Sequence, residues 1–199
     1  MEIITVTGYK GGVGKSTVAI HIAAYFALSQ KTILVDGDPN RTSLNWSKRG
    51  EVPFTVADER QAMKLISGAD IAIIDTPARP NTDDLKELAK GCDLLILPTT
   101  PDIVSLEPML QIALDVGAAR YKTLITIVPP YPSKEGNIMR QELITHDIPV
   151  FQTMIRRASA FQKAALAGVT VNNLNGRDRT PWLDFTALGK EIEEVLNHE

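Results

Sequence analysis

Short apolar runs alternate along the chain with longer stretches in which apolar positions recur at helical spacing. The runs at 3–7, 32–36, 71–75, 94–98 and 124–128 are rich in Val, Ile and Leu, with little polar alternation. A strand covered on both faces reads this way. Weaker strand patterns lie at 53–56 and 149–154. Between them, 16–29 reads as a helix with Ile20, Ala23, Ala24 and Ala27 at helical spacing. Further helices are expected at 58–67, 82–90, 105–119, 133–146, 157–167 and 181–196. Thr82 stands at a cap position ahead of Asp83 and Asp84, and Pro181 fits a first helical turn. Strand–helix alternation of this kind predicts an α/β fold, a mostly parallel twisted sheet flanked by helices on both faces. No repeat, linker or low-complexity segment interrupts it, so a single domain over residues 1–199 is expected.

Composition adds limits. With 199 residues, 44% of them hydrophobic, the chain suits one ordinary core. A net charge of −3 is close to neutral, so any nucleic-acid site has to be a local basic patch. Cys92 is the single cysteine, which excludes an intrachain disulfide framework and a cysteine-rich metal or iron–sulfur site. It reads as a small residue opening a buried strand. The N-terminal residues lack a signal-peptide pattern, and no apolar stretch approaches the roughly 20 residues that span a bilayer. A cytoplasmic location is expected.

The first strand runs into Gly8-Tyr9-Lys10-Gly11-Gly12-Val13-Gly14-Lys15-Ser16-Thr17, and a helix follows. Strand, glycine-rich loop and helix form the context of a phosphate-binding loop. Glycines let backbone N–H groups turn inward around phosphate oxygens, and the helix N-terminus adds partial positive charge. Lys15 supplies a point charge to the β- and γ-phosphates, Ser16 offers a hydroxyl to Mg²⁺, and Thr17 could reach the α-phosphate. The strict G-x-x-x-x-G-K-[ST] pattern is not met, because Tyr9 stands where its first glycine would be. A dinucleotide fingerprint would need a glycine at Thr17 and would leave Lys15 and Ser16 without a role.

Aspartates end two other strands, as Asp36-Gly37-Asp38-Pro39 and as Asp75-Thr76-Pro77. In a parallel sheet these ends gather on the face that carries the phosphate loop. A magnesium-bound triphosphate needs a carboxylate to order the metal's waters and a group to orient the attacking water. Asp75, after four apolar residues, has the form of the metal-holding aspartate. Either of Asp36 and Asp38 could instead cap a turn before Pro39.

The second lysine at the head of the loop, Lys10, together with Asp36-x-Asp38-Pro39 and the strand ending at Asp75, resembles the deviant Walker box of the ParA/MinD family of P-loop ATPases. The resemblance runs from Met1 to about Asn172. It implies ATP and Mg²⁺ as cofactors, with Gly11, Gly12, Val13, Gly14, Lys15, Ser16 and Thr17 around the phosphates. It further implies that Lys10 reaches the partner's nucleotide across an ATP-sandwich homodimer. Asp38 would position the attacking water, and Asp36 would support the metal shell with Ser16 and Asp75. The adenine would sit against the loop holding Pro129, Pro130 and Tyr131. Hydrolysis would be slow without an adaptor protein (ParB- or McdB-like), because no internal arginine finger can be named.

The small members of this family bind double-stranded DNA non-specifically and position a cargo, which implies a nucleoid location. The matching basic stretch holds Arg156, Arg157, Lys163, Arg177 and Arg179 against Asp178. An ordinary solvated helix face is the alternative reading of those residues. Membrane binding is not expected, since Asp184, Glu191, Glu193, Glu194 and Glu199 give the last helix an acidic polar face. Within the family, Gly8-Tyr9-Lys10, the Asp38-Pro39-Asn40-Arg41 turn and Ala160-Phe161-Gln162-Lys163-Ala164 are similar to the carboxysome-positioning members and, more broadly, to plasmid-partition members. A rival function on the same fold is an ATP-dependent small-molecule ligase, resembling dethiobiotin synthetase.

Overall fold

The apolar runs become strands because each is covered twice. A computed structural model of the chain describes residues 1–8, 10–78, 80–102, 108, 111, 115–116 and 120–197. Among these, six strands form one sheet: β1 (Glu2–Gly8), β2 (Thr32–Asp36), β3 (Thr55–Asp58), β4 (Ile71–Ala78), β5 (Leu94–Thr99) and β6 (Tyr121–Ile125). Every pairing is parallel, in the order β3-β2-β4-β1-β5-β6. The helices are α1 (Lys15–Phe26), α2 (Thr42–Ser47), α3 (Glu59–Leu65), α4 (Thr82–Lys90), α5 (Glu135–Thr145), α6 (Ala160–Ala167) and α7 (Trp182–Asn197). The helix expected at 105–119 lies largely outside the described residues.

Period-two alternation survives inside the apolar runs and splits them between two faces. Ile4, Val6, Leu34, Ile71, Ile73, Leu94, Ile96 and Leu124 meet one core, with Phe26 from α1 and Phe185 and Leu188 from α7. Leu95, Leu97 and Ile125 face the other way, against Leu85 of α4 and Leu143 of α5. Ile33, Val35 and Ala72 continue that second face over Ala62 of α3. Helix α1 is buried over most of its surface, as expected of a helix lying between a sheet and α7. At the α1–α7 seam, a Cβ on Gly189 would stand 2.3 Å from the Tyr25 ring, so this close approach requires glycine.

Several boundaries differ from the sequence expectation. The last strand is 121–125 rather than 124–128, because Ile127 turns left-handed at φ 55° and the Thr126 hydroxyl bonds to the Val13 carbonyl. The weak strand at 53–56 begins two residues later, and its last residue, Asp58, caps α3 by accepting from Gln61 N–H. No strand forms at 149–154. Isolated bridges join Val150 to Thr123 and Arg156 to Val128, while the amides of Gln152 and Thr153 turn away to the Glu191 carboxylate of α7. Asn81, not Thr82, caps α4, in a reciprocal box with Asp84. Helix α6 starts at Ala160, three residues later than expected. Helix α2 has no counterpart in the apolar pattern of the sequence. It is six residues long with poor helix formers, and buried Trp46 and bonds to two aspartates hold it in place.

The strand after β1 in space changes side: β4 lies on one flank and β5 on the other. The crevice beyond the carboxyl ends of these strands is where open α/β sheets bind ligands.

Candidate functional site

The glycine-rich loop leaves β1 at this crevice. Gly12 and Gly14 take φ values of 78° and 85°, left-handed angles that a side chain would strain. Gly14 is the N-cap of α1 and brings no side-chain hydrogen bond to it. The first-turn amides of α1 therefore have no capping side chain, which suits an anion. From behind, Thr126 Oγ1 lies 2.8 Å from the Val13 carbonyl and 3.0 Å from the Thr99 carbonyl, tying the loop to the ends of β5 and β6.

The sheet register sets the carboxylates. Asp36 of β2 is level with Asp75 of β4, and Asp75 is level with Val6 of β1, just before the loop. Lys15 is buried; burial lowers its pKa, while Asp75 and then Asp38 oppose that shift. Asp75 is completely buried. Ser43 Oγ donates to its Oδ2 at 2.8 Å, and Oδ1 has no partner within hydrogen-bond geometry among the described residues. Burial pushes its pKa up to about 6; the Ser16 and Ser43 hydroxyls hold it down in part, and Asp36 and Asp38 add to the rise.

Asp36 and Asp38 differ in their surroundings. Both Asp36 oxygens accept backbone N–H groups, from Asp38 at 3.1 Å and from Leu44 at 2.9 Å. Asp36 thus anchors its own turn and the start of α2, as a turn-capping residue does. Asp38 Oδ1 accepts from the Asn40 amide and side chain at 2.8 and 2.9 Å, and the Asp38 charge acts on Lys15. Arg41, left-handed at φ 51°, clamps the same turn through the Asp36 carbonyl and Glu59. Lys10 is half exposed and pairs with Asp102 at 3.3 Å. An exposed pair of this kind is worth about 0–1 kcal/mol, so it exchanges readily for another anion.

A cavity of about 360 Å³ opens beside the loop. Gly12, Gly14 and Thr17 form its phosphate side, and Ile127, Arg157 and Phe161 lie among its other lining residues. Pro129 and Pro130 do not line it, because the chain turns outward at Ile127 and leaves Tyr131 95% exposed. The cavity wall comes from residues 126–127, 155–158 and 161–162; the sequence pattern offered Arg156 and Arg157 as part of a basic stretch and Phe161 and Gln162 as part of a helix, not as a cavity wall.

The basic stretch is largely committed elsewhere. Arg156 grips Asp184 through Nε at 2.7 Å and Nη2 at 2.5 Å, and Lys163 pairs with Asp178 at 2.6 Å. Arg156 and Arg157 line the cavity. Arg177 and Arg179 are exposed on a short 3-10 turn.

The residues fit a magnesium ion: a buried carboxylate with one unpartnered oxygen and a serine hydroxyl beside it are hard donors. The raised Asp75 pKa carries a stability cost. The unfolded carboxyl titrates near 3.8 and the folded one near 6, so the folded state is favoured below 3.8 and loses that advantage as pH rises through 6. The loss amounts to about 3 kcal/mol. Without nucleotide or magnesium, Asp75→Asn is therefore expected to be more heat-stable than the parent at pH 7.5, with the difference vanishing near pH 4. Equal melting curves for the two proteins at pH 7.5 would contradict this.

Residues 4–178 match the profile of the CobQ/CobB/MinD/ParA nucleotide binding domain. Maintenance of carboxysome distribution protein A from Gloeobacter kilaueensis is 28% identical, over 96% of this chain and 94% of its own length. The chromosome-partitioning ATPase Soj of Thermus thermophilus is 31% identical, over 97% of this chain and 74% of its own length. In shape, the chain is similar to McdA of Cyanothece in complex with ATP, with a TM-score of 0.73 at 13% identity over 100% of this chain and 97% of that one.

Proposed function

The chain belongs to the CobQ/CobB/MinD/ParA nucleotide-binding family and is an ATP hydrolase, and from this premise we propose that it is a ParA-type magnesium-dependent switch that positions a cargo. The observation that carries the reading is the burial of Lys15 beside Asp75 and Asp38 at the end of a loop with two left-handed glycines. Lys15 and the loop amides hold the β- and γ-phosphates. Ser16 and Asp75 would hold the magnesium, with Asp36 supporting its shell, and the ion would supply charge neutralisation for the leaving phosphates. Asp38, with one oxygen fixed by Asn40, orients the attacking water. Asp36 keeps that turn in place. The single domain spans residues 1–199.

With ATP bound, two copies close face to face about a two-fold axis, and Lys10 exchanges Asp102 for the partner's phosphates. The ATP dimer holds nucleoid DNA without sequence preference, and an adaptor protein stimulates hydrolysis and releases it. Arg177 and Arg179, with Lys163 beside them, are the stronger part of the DNA face, since Arg156 and Arg157 belong to the cavity wall. The cargo is a carboxysome or a plasmid; the 28% identical relative, a carboxysome distribution protein, favours the first.

Retention of arbitrary double-stranded DNA tests the switch, measured without nucleotide, with ADP and with ATP. Binding is expected with ATP only, falling about tenfold or more between 50 and 200 mM salt as phosphate contacts release counterions. ATP hydrolysis with no DNA retention in any state would remove the positioning role and favour a small-molecule ligase on the same fold.

A further inference from the structure

His21 lies in the second turn of α1 and is fully buried. Both ring nitrogens are used. Nε2 is 3.1 Å from the Val171 N–H, which can only donate. Nδ1 is 2.7 Å from the Thr17 carbonyl, which can only accept. Together they require the neutral ring with its proton on Nδ1. Burial lowers the ring's pKa to about 4, against a weaker opposing effect of the Thr17 carbonyl, so the ring stays neutral. It stacks on Phe185 at 4.7 Å and meets the edges of Phe161 at 5.4 Å and Trp46 at 5.9 Å.

Two of these neighbours line the cavity. Thr17 is on its phosphate side and Phe161 is on the wall supplied by α6. The segment after α6 is moored at two backbone atoms only two residues apart. Trp46 Nε1 donates to the Val169 carbonyl at 2.8 Å, and His21 accepts from Val171. One imidazole thus joins the phosphate-loop helix to the opposite wall.

We propose that His21 is a positioning residue for the base end of the nucleotide: by tying Thr17 to Val171 and packing on Phe161, it fixes how far the α6 wall stands from the phosphate loop. The proposal rests on the ATP-binding reading of the site. An apolar replacement would fill the volume but leave the Val171 N–H buried and unpaired, so the wall would have to shift to satisfy it. The phosphate loop, built from its own glycines and Lys15, would stay as it is.

The test compares Mg-ATP with Mg-tripolyphosphate, which has the phosphates but no base, as competitors of a fluorescent ATP analogue. His21→Gln places an amide oxygen where Nε2 stood and can still accept from Val171; His21→Asn is too short to do so. In His21→Asn and His21→Leu, ATP is expected to bind about tenfold more weakly, with tripolyphosphate within about twofold of the parent. His21→Gln is expected to stay near the parent for both. Should the leucine variant fail to fold, the Asn and Gln pair decides. Equal weakening of both ligands, or Asn and Gln variants that bind ATP alike, would overturn the proposal. Failure of the unaltered protein to bind either ligand would instead overturn the ATP-binding reading itself, and this proposal with it.

Discussion

Lys15→Ala is expected to lower ATP hydrolysis by more than about 100-fold and to abolish the ATP-dependent dimer. The reason is electrostatic. Lys15 is a buried cation beside Asp75 and Asp38, and both act on it. Without it, these two carboxylates face an incoming triphosphate of the same sign, and the loop amides alone have to overcome that repulsion. The protein itself should not suffer, because burial already disfavours the Lys15 charge. Thermal melting near the parent value, together with loss of phosphate release and of the dimer in light scattering, is the expected set of results. Hydrolysis within tenfold of the parent would show that Lys15 is not the phosphate-binding lysine.

Asp38→Ala should give the opposite outcome for assembly. ATP binding persists, hydrolysis falls by about 100-fold or more, and the protein accumulates as a dimer. Asp38 is nearly buried, and one oxygen is pinned by the Asn40 backbone and side chain. That leaves the other in a fixed direction, as a water-orienting group requires. Its loss removes an interaction needed only for the chemical step, so the ATP state is trapped. Asp36→Ala is the informative control. It strips acceptors from the Asp38 and Leu44 amides, so its main effect should be a lower melting temperature. A monomeric Asp38→Ala protein in the presence of ATP would refute the assigned role.

The two aspartates show why the site was only partly legible. As Asp36-x-Asp38-Pro39 they look alike, and the resemblance to a family assigns one to water and the other to metal. The difference between them lies in Leu44 and Asn40: one donor comes from a helix whose sequence is too polar to announce itself. The pairing of Ser43 with Asp75, 32 residues apart, was equally silent. The basic stretch was legible as charge but not as pairing: Asp184 of α7, 28 residues along the chain, holds Arg156.

By itself the sequence determined what depends on neighbouring residues. Runs of Val, Ile and Leu had to become strands buried on both faces. Gly12 and Gly14 supplied left-handed backbone that other residues resist, so the loop before α1 was readable as a phosphate cradle. Only the tertiary structure decided how distant segments meet. It set the β3-β2-β4-β1-β5-β6 order that brings Asp36 level with Asp75. It ended β6 at Ile125 so that Thr126 could brace the loop, and it placed 155–162, not the prolines, across the cavity. It also joined Thr17 to Val171 through His21. Local periodicity records which face of an element is apolar, but the partner of that face is chosen by packing the whole sheet and its helices at once.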